Sequence, residues 1–234
     1  MANMPPVILG YWDIRGLAQS IRYLLAYARV PYVDKRYSYG SETEPNRDEW
    51  LAVKHKLDFD FPNLPYLIDG DIRMTQSQAI LRYLGRKHSL VPEDEGTLRR
   101  VDMLQHEAFD ILWDTARLSY DPDYTEDKRR QFLTDVADRL HHLQVYLAKH
   151  GPYGAGNTVT YVDFMLYESF QVVKILGPTT FRKGYPGLEE YCDRIAALPG
   201  LQEYLASDKF KSWPIWSPFA KALSARSSVP ADDC

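Results

Sequence analysis

Residues 58–88, DFDFPNLPYLIDGDIRMTQSQAILRYLGRKH, decide the fold. Pro65-Tyr66-Leu67-Ile68 reads as a short buried strand, Asp69-Gly70 as a tight hairpin turn and Ile72-Arg73-Met74 as the returning strand. Ser77 then stands as the N-cap of a helix whose apolar face is Ala79, Ile80, Tyr83 and Leu84. A helix opening with Gln76-Ser77 offers unpaired backbone N–H groups, a hydroxyl and the positive end of the dipole, a set that suits a carboxylate or phosphate. Upstream, Asn63-Leu64-Pro65 puts a proline at the first residue of a strand. With a cis bond there, Leu64 would turn its backbone N–H and C=O outward, as a peptide-pairing edge does. Taken singly, each feature is equally a capped helix behind a rigid turn.

Before this stretch, Val7-Ile8-Leu9-Gly10 is a first buried strand leading into the loop Tyr11-Trp12-Asp13-Ile14-Arg15-Gly16. A helix starts at Leu17, with Ile21, Leu24, Leu25 and Ala28 on one face, and Val30-Pro31 closes it. Tyr32 to Tyr39 alternates as a half-exposed strand, Val33 and Tyr37 on one face against Asp34 and Arg36 on the other. After the polar loop Gly40 to Arg47 comes a short helical piece, Asp48 to Lys54. The order βαβαββα follows, with a right-handed parallel crossover first and an antiparallel pair last.

Beyond it, Ser89 to Gly96 is a polar linker and every long segment reads as helix. Leu98, Val101, Leu104, Ala108, Ile111 and Leu112 make one stripe ending near Tyr120; Phe132, Val136, Leu140, Leu143 and Leu147 make a second. Thr160-Tyr161-Val162-Asp163 is a capping box before a helix buried nearly all round, Phe164 to Leu176. Leu188, Tyr191, Ile195 and Leu198 form a fourth helix that Pro199-Gly200 stops, and Leu201, Tyr204 and Leu205 begin a short fifth. The expected architecture is α/β plus all-α: an α/β domain over 1–89, an all-helical domain over 90–217 and a partly mobile tail over 218–234.

Composition narrows the function. The 234 residues are 45% hydrophobic with a net charge of −4, so a core is assured and no basic surplus points to nucleic acid or an anionic membrane. Two cysteines, Cys192 and Cys234, give no disulfide framework and no Cys-x-x-Cys site. The six histidines show no metal-ligand spacing, and no phosphate-binding glycine loop or G-x-S-x-G elbow occurs. No signal peptide or 18-residue apolar span is evident. A cytoplasmic protein with no metal, nucleic-acid or membrane partner is the expectation.

Strand-initial proline, hairpin and Gln-Ser helix start together resemble the peptide-binding half of a thioredoxin-like domain. Tyr11-Trp12-Asp13-Ile14-Arg15-Gly16-Leu17 is similar to the N-terminal signature of mu-class glutathione transferases, and Tyr39 to Trp50 resembles the extra loop of that class, ending in Arg47-x-x-Trp50-Leu51-x-x-Lys54. Asp60 to Gly70 and Thr75 to Ile80 match almost residue for residue, and the likeness runs to about Trp216. It implies an enzyme that conjugates the thiolate of reduced glutathione, a co-substrate, to small hydrophobic electrophiles, with no cofactor. Tyr11 would be the catalytic donor to the sulfur. Trp12, Arg47, Trp50 and Lys54 would hold the glycine end, Asn63 and Leu64 the cysteinyl backbone, Gln76 and Ser77 the γ-glutamyl carboxylate, with Leu17 also among the glutathione-binding residues. Asp110 would reach glutathione bound to the neighbouring subunit. Ile14, Leu17, Phe109, Ala116, Tyr120 and Trp216 would line the electrophile pocket, Tyr120 donating into it. Phe61 and Arg82 would form the interface of a homodimer, or of a heterodimer with close relatives. A non-catalytic binder and a glutathione-dependent isomerase are the alternatives. Trp216 in place of the usual phenylalanine, and the small Ala116, depart from the family pattern.

The physics fits that chemistry. A thiol with a pKa near about 8.5 is only a few per cent thiolate at neutral pH. Lowering that pKa by about 2 units takes about 2.7 kcal/mol of preference for the anion, which one charge-assisted hydrogen bond nearly supplies.

Overall fold

The computed structural model describes residues 6–41 and 43–230. Its sheet has the order β2-β1-β3-β4, from strands Val7–Trp12, Tyr32–Tyr37, Tyr66–Asp69 and Ile72–Thr75 numbered β1 to β4 in chain order. Strand β1 runs parallel to β2 and antiparallel to β3, and β3–β4 is the antiparallel hairpin. Helix α1 (Gln19–Tyr27) makes the crossover, α2 (Asp48–Leu51) follows the polar loop, and α3 (Ser77–Lys87) follows β4. This is the expected thioredoxin-like arrangement.

Local chemistry moves several boundaries. Strand β1 reaches Trp12, so Tyr11 belongs to the ladder, opposite Arg36, rather than to the loop after it. The hairpin turn is Gly70-Asp71, one residue later than expected. Gly70 supplies the left-handed φ of 62° that such a turn needs. Asp69 stays in the strand opposite Ile72, where its carboxylate accepts from Tyr83 (2.8 Å) and from Lys87. Strand β2 alternates as expected, but its Val33 face is buried only at Tyr37, 3% exposed. Val33 is 47% exposed, whereas Asp34 and Arg36 are half-buried beneath an ion-pair group in which Arg22, 1% exposed, meets Asp34 at 3.1 Å. A buried guanidinium on α1 requires an acid on the facing strand, and Asp34 supplies it.

The helical part is α4 (Glu95–Tyr120), α5 (Glu126–Asp135), α6 (Ala137–His150), α7 (Tyr161–Leu176), α8 (Pro178–Gly184), α9 (Pro186–Ala196) and α10 (Pro199–Leu205). Helix α4 starts three residues before Leu98 because the Asp94 side chain accepts from Thr97 N (2.8 Å) as its cap. The single stripe from Phe132 to Leu147 is two helices meeting at Val136. The capping box before α7 is present, Thr160 N donating to Asp163 Oδ2 at 2.7 Å. Pro199-Gly200, expected as a stop, opens α10, since proline at the first helical position loses no hydrogen bond. Gly200 also lets α10 press on α1: a Cβ there would stand 2.4 Å from the Ala26 carbonyl oxygen.

The aperiodic segment that leads into the expected partly mobile tail, and the start of that tail, pack on the helical domain. Ile215 and Trp216 donate their N–H groups to Leu223 O (3.0 and 2.9 Å), Lys221 N donates to Ser119 O (2.7 Å), and Ala222, Leu223 and Ser224 are buried. Its aperiodic sequence reflects irregular backbone anchored on the end of α4, not absence of a core. Mobility was expected at the very end, and residues 231–234, with Cys234, lie outside the described ones.

Candidate active site

Tyr11 is 6% exposed at the end of β1, its ring beneath the turn Gly16–Ala18. Leu17 N donates to Tyr11 Oη at 3.1 Å, leaving the phenolic proton to serve an acceptor in the cleft. Gly16, at φ 43°, permits this approach, because a Cβ there would fall 2.6 Å from the hydroxyl. Burial pushes the Tyr11 pKa up from 10.0 to about 12, against the opposing pull of the Leu17 N–H. A phenol in this state is neutral at physiological pH and is a donor, not a base.

The turn is pinned from behind. Arg15 N and Gly16 N donate to Pro214 O (3.0 Å) and Ile215 O (2.9 Å). The Arg15 side chain makes a bidentate pair with Glu168 of α7 (3.0 and 2.5 Å), and Tyr23 Oη donates to the same carboxylate at 3.0 Å. Arg15 is 3% and Glu168 0% exposed. Sequence reasoning missed this pair. Its signal was a charged Glu168 inside a helix apolar on all sides, since a buried charge requires a partner.

A cleft of about 560 Å³ opens over Tyr11. Of the expected residues it is lined by Trp12, Ile14, Leu17, Arg47, Trp50, Lys54, Asn63, Leu64, Ala116, Tyr120 and Trp216. Trp50 is 5% exposed, wedged edge-on to Tyr37 (5.4 Å) and stacked on Tyr66 (6.0 Å). Arg47 lies over the Phe219 ring at 5.2 Å, and neither it nor Lys54 has an ion pair among the described residues. The Leu64-Pro65 bond is cis, and Leu64 N is turned onto its neighbour, donating to Asn63 Oδ1 at 2.9 Å.

Other expected residues stand elsewhere. Gln76, not Ser77, is the cap residue of α3, because its φ of 72° keeps it outside the helical region while Ser77 is already the first helical residue. Neither residue is in the cleft lining. A left-handed, non-glycine residue at this helix start is the kind of strained position that clusters at ligand sites. Asp110 is exposed on α4, and Phe109 sits behind Trp113 in a parallel stack (6.0 Å, 11°). Tyr120 does not point a free hydroxyl into the pocket: it donates to Ser217 Oγ (2.7 Å) and accepts from Ser217 N (3.1 Å). Donation to a substrate therefore requires exchange of the Ser217 partner.

Five lining residues went unforeseen: Tyr39, Leu51, Trp113, Arg117 and Ser217. Trp113 and Arg117 share a helical face with Ala116 and Tyr120, so spacing alone contained them. Tyr39, stacked on Trp12 (4.2 Å, 19°), and Ser217 lie in irregular segments with no period to read.

Away from this cleft, Phe61 is 74% exposed, its carbonyl accepting from Thr75 Oγ1 at 2.9 Å. A second cleft of about 710 Å³ between α4 and α6 is lined by Met103, His106, His142, Leu143 and Tyr146 among others. Arg82 is half-buried and tied within the chain, Nε to Gln105 Oε1 at 2.7 Å. Among the described residues no cluster could hold a metal ion, and no helix is long and apolar enough to cross a membrane.

Comparison with known proteins gives the same outline. Family models for the glutathione S-transferase N-terminal and C-terminal domains match residues 7–86 and 110–208. The chain is 43% identical over 215 residues to glutathione S-transferase Mu 2 of Rattus norvegicus, covering 92% of this chain and 97% of that one. It is 40% identical to glutathione S-transferase Mu 1 of Bos taurus over the same shares. The crystal structure of the glutathione S-transferase Blo t 8 superposes with a TM-score of 0.82 at 34% identity, over 92% of this chain and 98% of that one.

Proposed function

The chain belongs to the glutathione S-transferase family, in its mu class, and is a glutathione-conjugating enzyme; from that premise we propose how its residues divide the work. The observation that carries the reading is the neutral, buried Tyr11 hydroxyl on the floor of a cleft whose rim holds Arg47 and Lys54. Tyr11 donates to the glutathione sulfur and stabilises the thiolate. Arg47 and Lys54, lacking protein carboxylates, take the glycine carboxylate, with Trp12, Leu17 and Trp50 forming the walls of that end. Leu64 exchanges its bond to Asn63 for the cysteinyl backbone, and Gln76 and Ser77 present the start of α3 to the γ-glutamyl carboxylate. Ile14, Leu17, Ala116, Tyr120 and Trp216, with Phe109 behind, shape the electrophile side. The thiolate attacks the electrophilic carbon, the C–S bond forms, and a leaving group such as chloride departs with its electron pair.

Reduced glutathione is consumed as a co-substrate and no cofactor is required. A pure binder has no use for a phenol at the sulfur, which favours the enzyme over that alternative. Coupling of an activated aryl chloride, followed with and without glutathione, tests the activity: the expected result is a rate that needs both protein and tripeptide.

The enzyme works in the cytoplasm as a homodimer. Phe61, exposed although aromatic, inserts into the partner's cleft between α4 and α6, and the contact occurs twice about the two-fold axis. A buried ring of roughly 150 to 250 Å² makes it an interface hot spot. Asp110 then reaches the amine of glutathione bound to the other subunit, and Arg82 braces α3 on α4 near the axis. Phe61→Ser is expected to shift sedimentation equilibrium toward monomer and weaken glutathione binding together. A monomer that binds as tightly as the parent removes Asp110 from the site.

A further inference from the structure

The cleft wall formed by α4 defines the second substrate more narrowly, on the transferase reading above. Trp113, Ala116, Arg117 and Tyr120 recur at three- and four-residue spacing, form one helical face, and all line the cleft. Trp113 leaves 42% of its surface uncovered and is backed by Phe109 in a parallel stack. It is a flat apolar plate, and Ala116 one turn on leaves beside it the space a larger side chain would fill. Arg117 stands at the rim of the same face with its side chain 70% exposed.

Its charge is loosely held. The ion pair is an exposed contact to Asp114 on the same helix (3.0 Å), and the other Asp114 oxygen accepts from Arg139 at 3.2 Å. When Arg117 turns to a ligand, Asp114 keeps Arg139 as a partner, which it shares with Glu107 at 3.5 Å. Asp110 lies two turns away, about 10 Å along the axis, near the screening length of physiological salt. Arg47 and Lys54, the other cations of the cleft, belong to the opposite, glutathione side.

We propose that the preferred electrophiles are planar aromatic compounds carrying a carboxylate or sulfonate on the ring edge remote from the reacting carbon. The ring lies on Trp113 over Ala116, the reacting carbon faces the sulfur above Tyr11, and the anion meets Arg117 at the rim. The thiolate adds to the ring carbon to form the C–S bond, the pair it displaces is held in the ring, and the C–Cl bond then breaks with chloride taking its electrons. No proton or further reactant is needed.

The test compares 4-chloro-3-nitrobenzoate with its neutral methyl ester, each kcat/KM divided by the uncatalysed rate with glutathione at the same pH. The parent is expected to favour the anion. In Arg117→Gln the anion-to-ester ratio should fall about tenfold, mainly through KM, and Arg117→Lys should recover most of it. The parent's ratio should also decline as salt is raised. A ratio unchanged in Arg117→Gln, with both compounds still conjugated, overturns the assignment of Arg117. If the parent conjugates neither compound but couples a more activated aryl chloride, this proposal falls alone; if it couples none of them, the transferase reading falls with it.

Discussion

On one side of the cleft the backbone does the positioning. Tyr11 is placed by the β1–β2 ladder, its hydroxyl by the turn at Gly16 and Leu64 by the loop before β3, and beyond the cleft Gln76 is set by a left-handed φ. On the other side, side-chain identity does it: Trp113, Ala116 and Arg117 are points on one face of α4, and Trp216 and Ser217 hang from an irregular segment. A substitution on α4 changes the shape and charge of the pocket without changing any backbone path. A substitution at Gly16 or Gln76 disturbs the path itself. The first side is therefore suited to a constant partner, the tripeptide, and the second to a range of electrophiles.

The Tyr11 turn is tied to the helical domain by a buried ion pair, and cutting it is the strongest way to break the comparison. Glu168→Ala leaves the Arg15 guanidinium, 3% exposed, without its carboxylate. Removing one partner of a buried pair costs about 3 to 5 kcal/mol. Urea unfolding should show that loss, and the double variant Arg15→Met with Glu168→Met should regain much of it. A loss under about 1 kcal/mol would falsify the view that α7 holds the Tyr11 turn from beneath.

Next in size is the chemical step. Tyr11→Phe removes one preorganised donor and should lower kcat by roughly 10² with little change in glutathione affinity. The pH dependence follows from the raised pKa. A phenol that ionises near 12 rather than 10.0 keeps its proton across the physiological range. Its ionisation costs the fold nothing below 10 and erodes stability only as the pH climbs from there toward about 12. The conjugation rate, once corrected for the free thiolate in solution, should thus show no alkaline loss below pH 9. A fall in that range that disappears in Tyr11→Phe would mean the tyrosine ionises earlier and loses the proton it donates to the sulfur.

How much of this was legible in the sequence follows the same division. The βαβαββα order and the capping box before α7 follow from strand, turn and capping signals that operate over a few residues, whereas Tyr11, Trp12, Arg47, Trp50, Lys54, Asn63 and Leu64 were carried by the resemblance to the mu-class motifs, which left out Tyr39 and Leu51. Errors arose where a distant partner overrode the local signal. Asp69 stays in its strand, where Tyr83 and Lys87 meet it, and the turn passes to Gly70. Pro199 opens a helix because Gly200 must lie against Ala26. The stretch 212–224 has no period to read, so neither its burial nor the bond from Tyr120 to Ser217 was foreseeable from it.

The smallest expected effect is at the seam between the two sides. Phe219, 41% exposed, receives the Arg47 guanidinium over its face at 5.2 Å and the Tyr39 ring edge-on at 5.8 Å. It thus ties the loop that carries Arg47 to the segment that carries Trp216 and Ser217. A cation–π contact at an exposed site is worth about 0.5 to 1 kcal/mol, a factor of roughly two to five. Phe219→Ala should raise the KM for glutathione by that factor, because Arg47 loses the support that aims it across the cleft. The KM for the electrophile should rise in parallel as Tyr39 loosens from its stack on Trp12. Phe219→Tyr, which keeps the ring, should stay within twofold of the parent on both. If Phe219→Ala alters only the electrophile term, Arg47 is positioned by its own loop and the two sides are independent. If it alters neither, the contact between loop and tail has no part in binding.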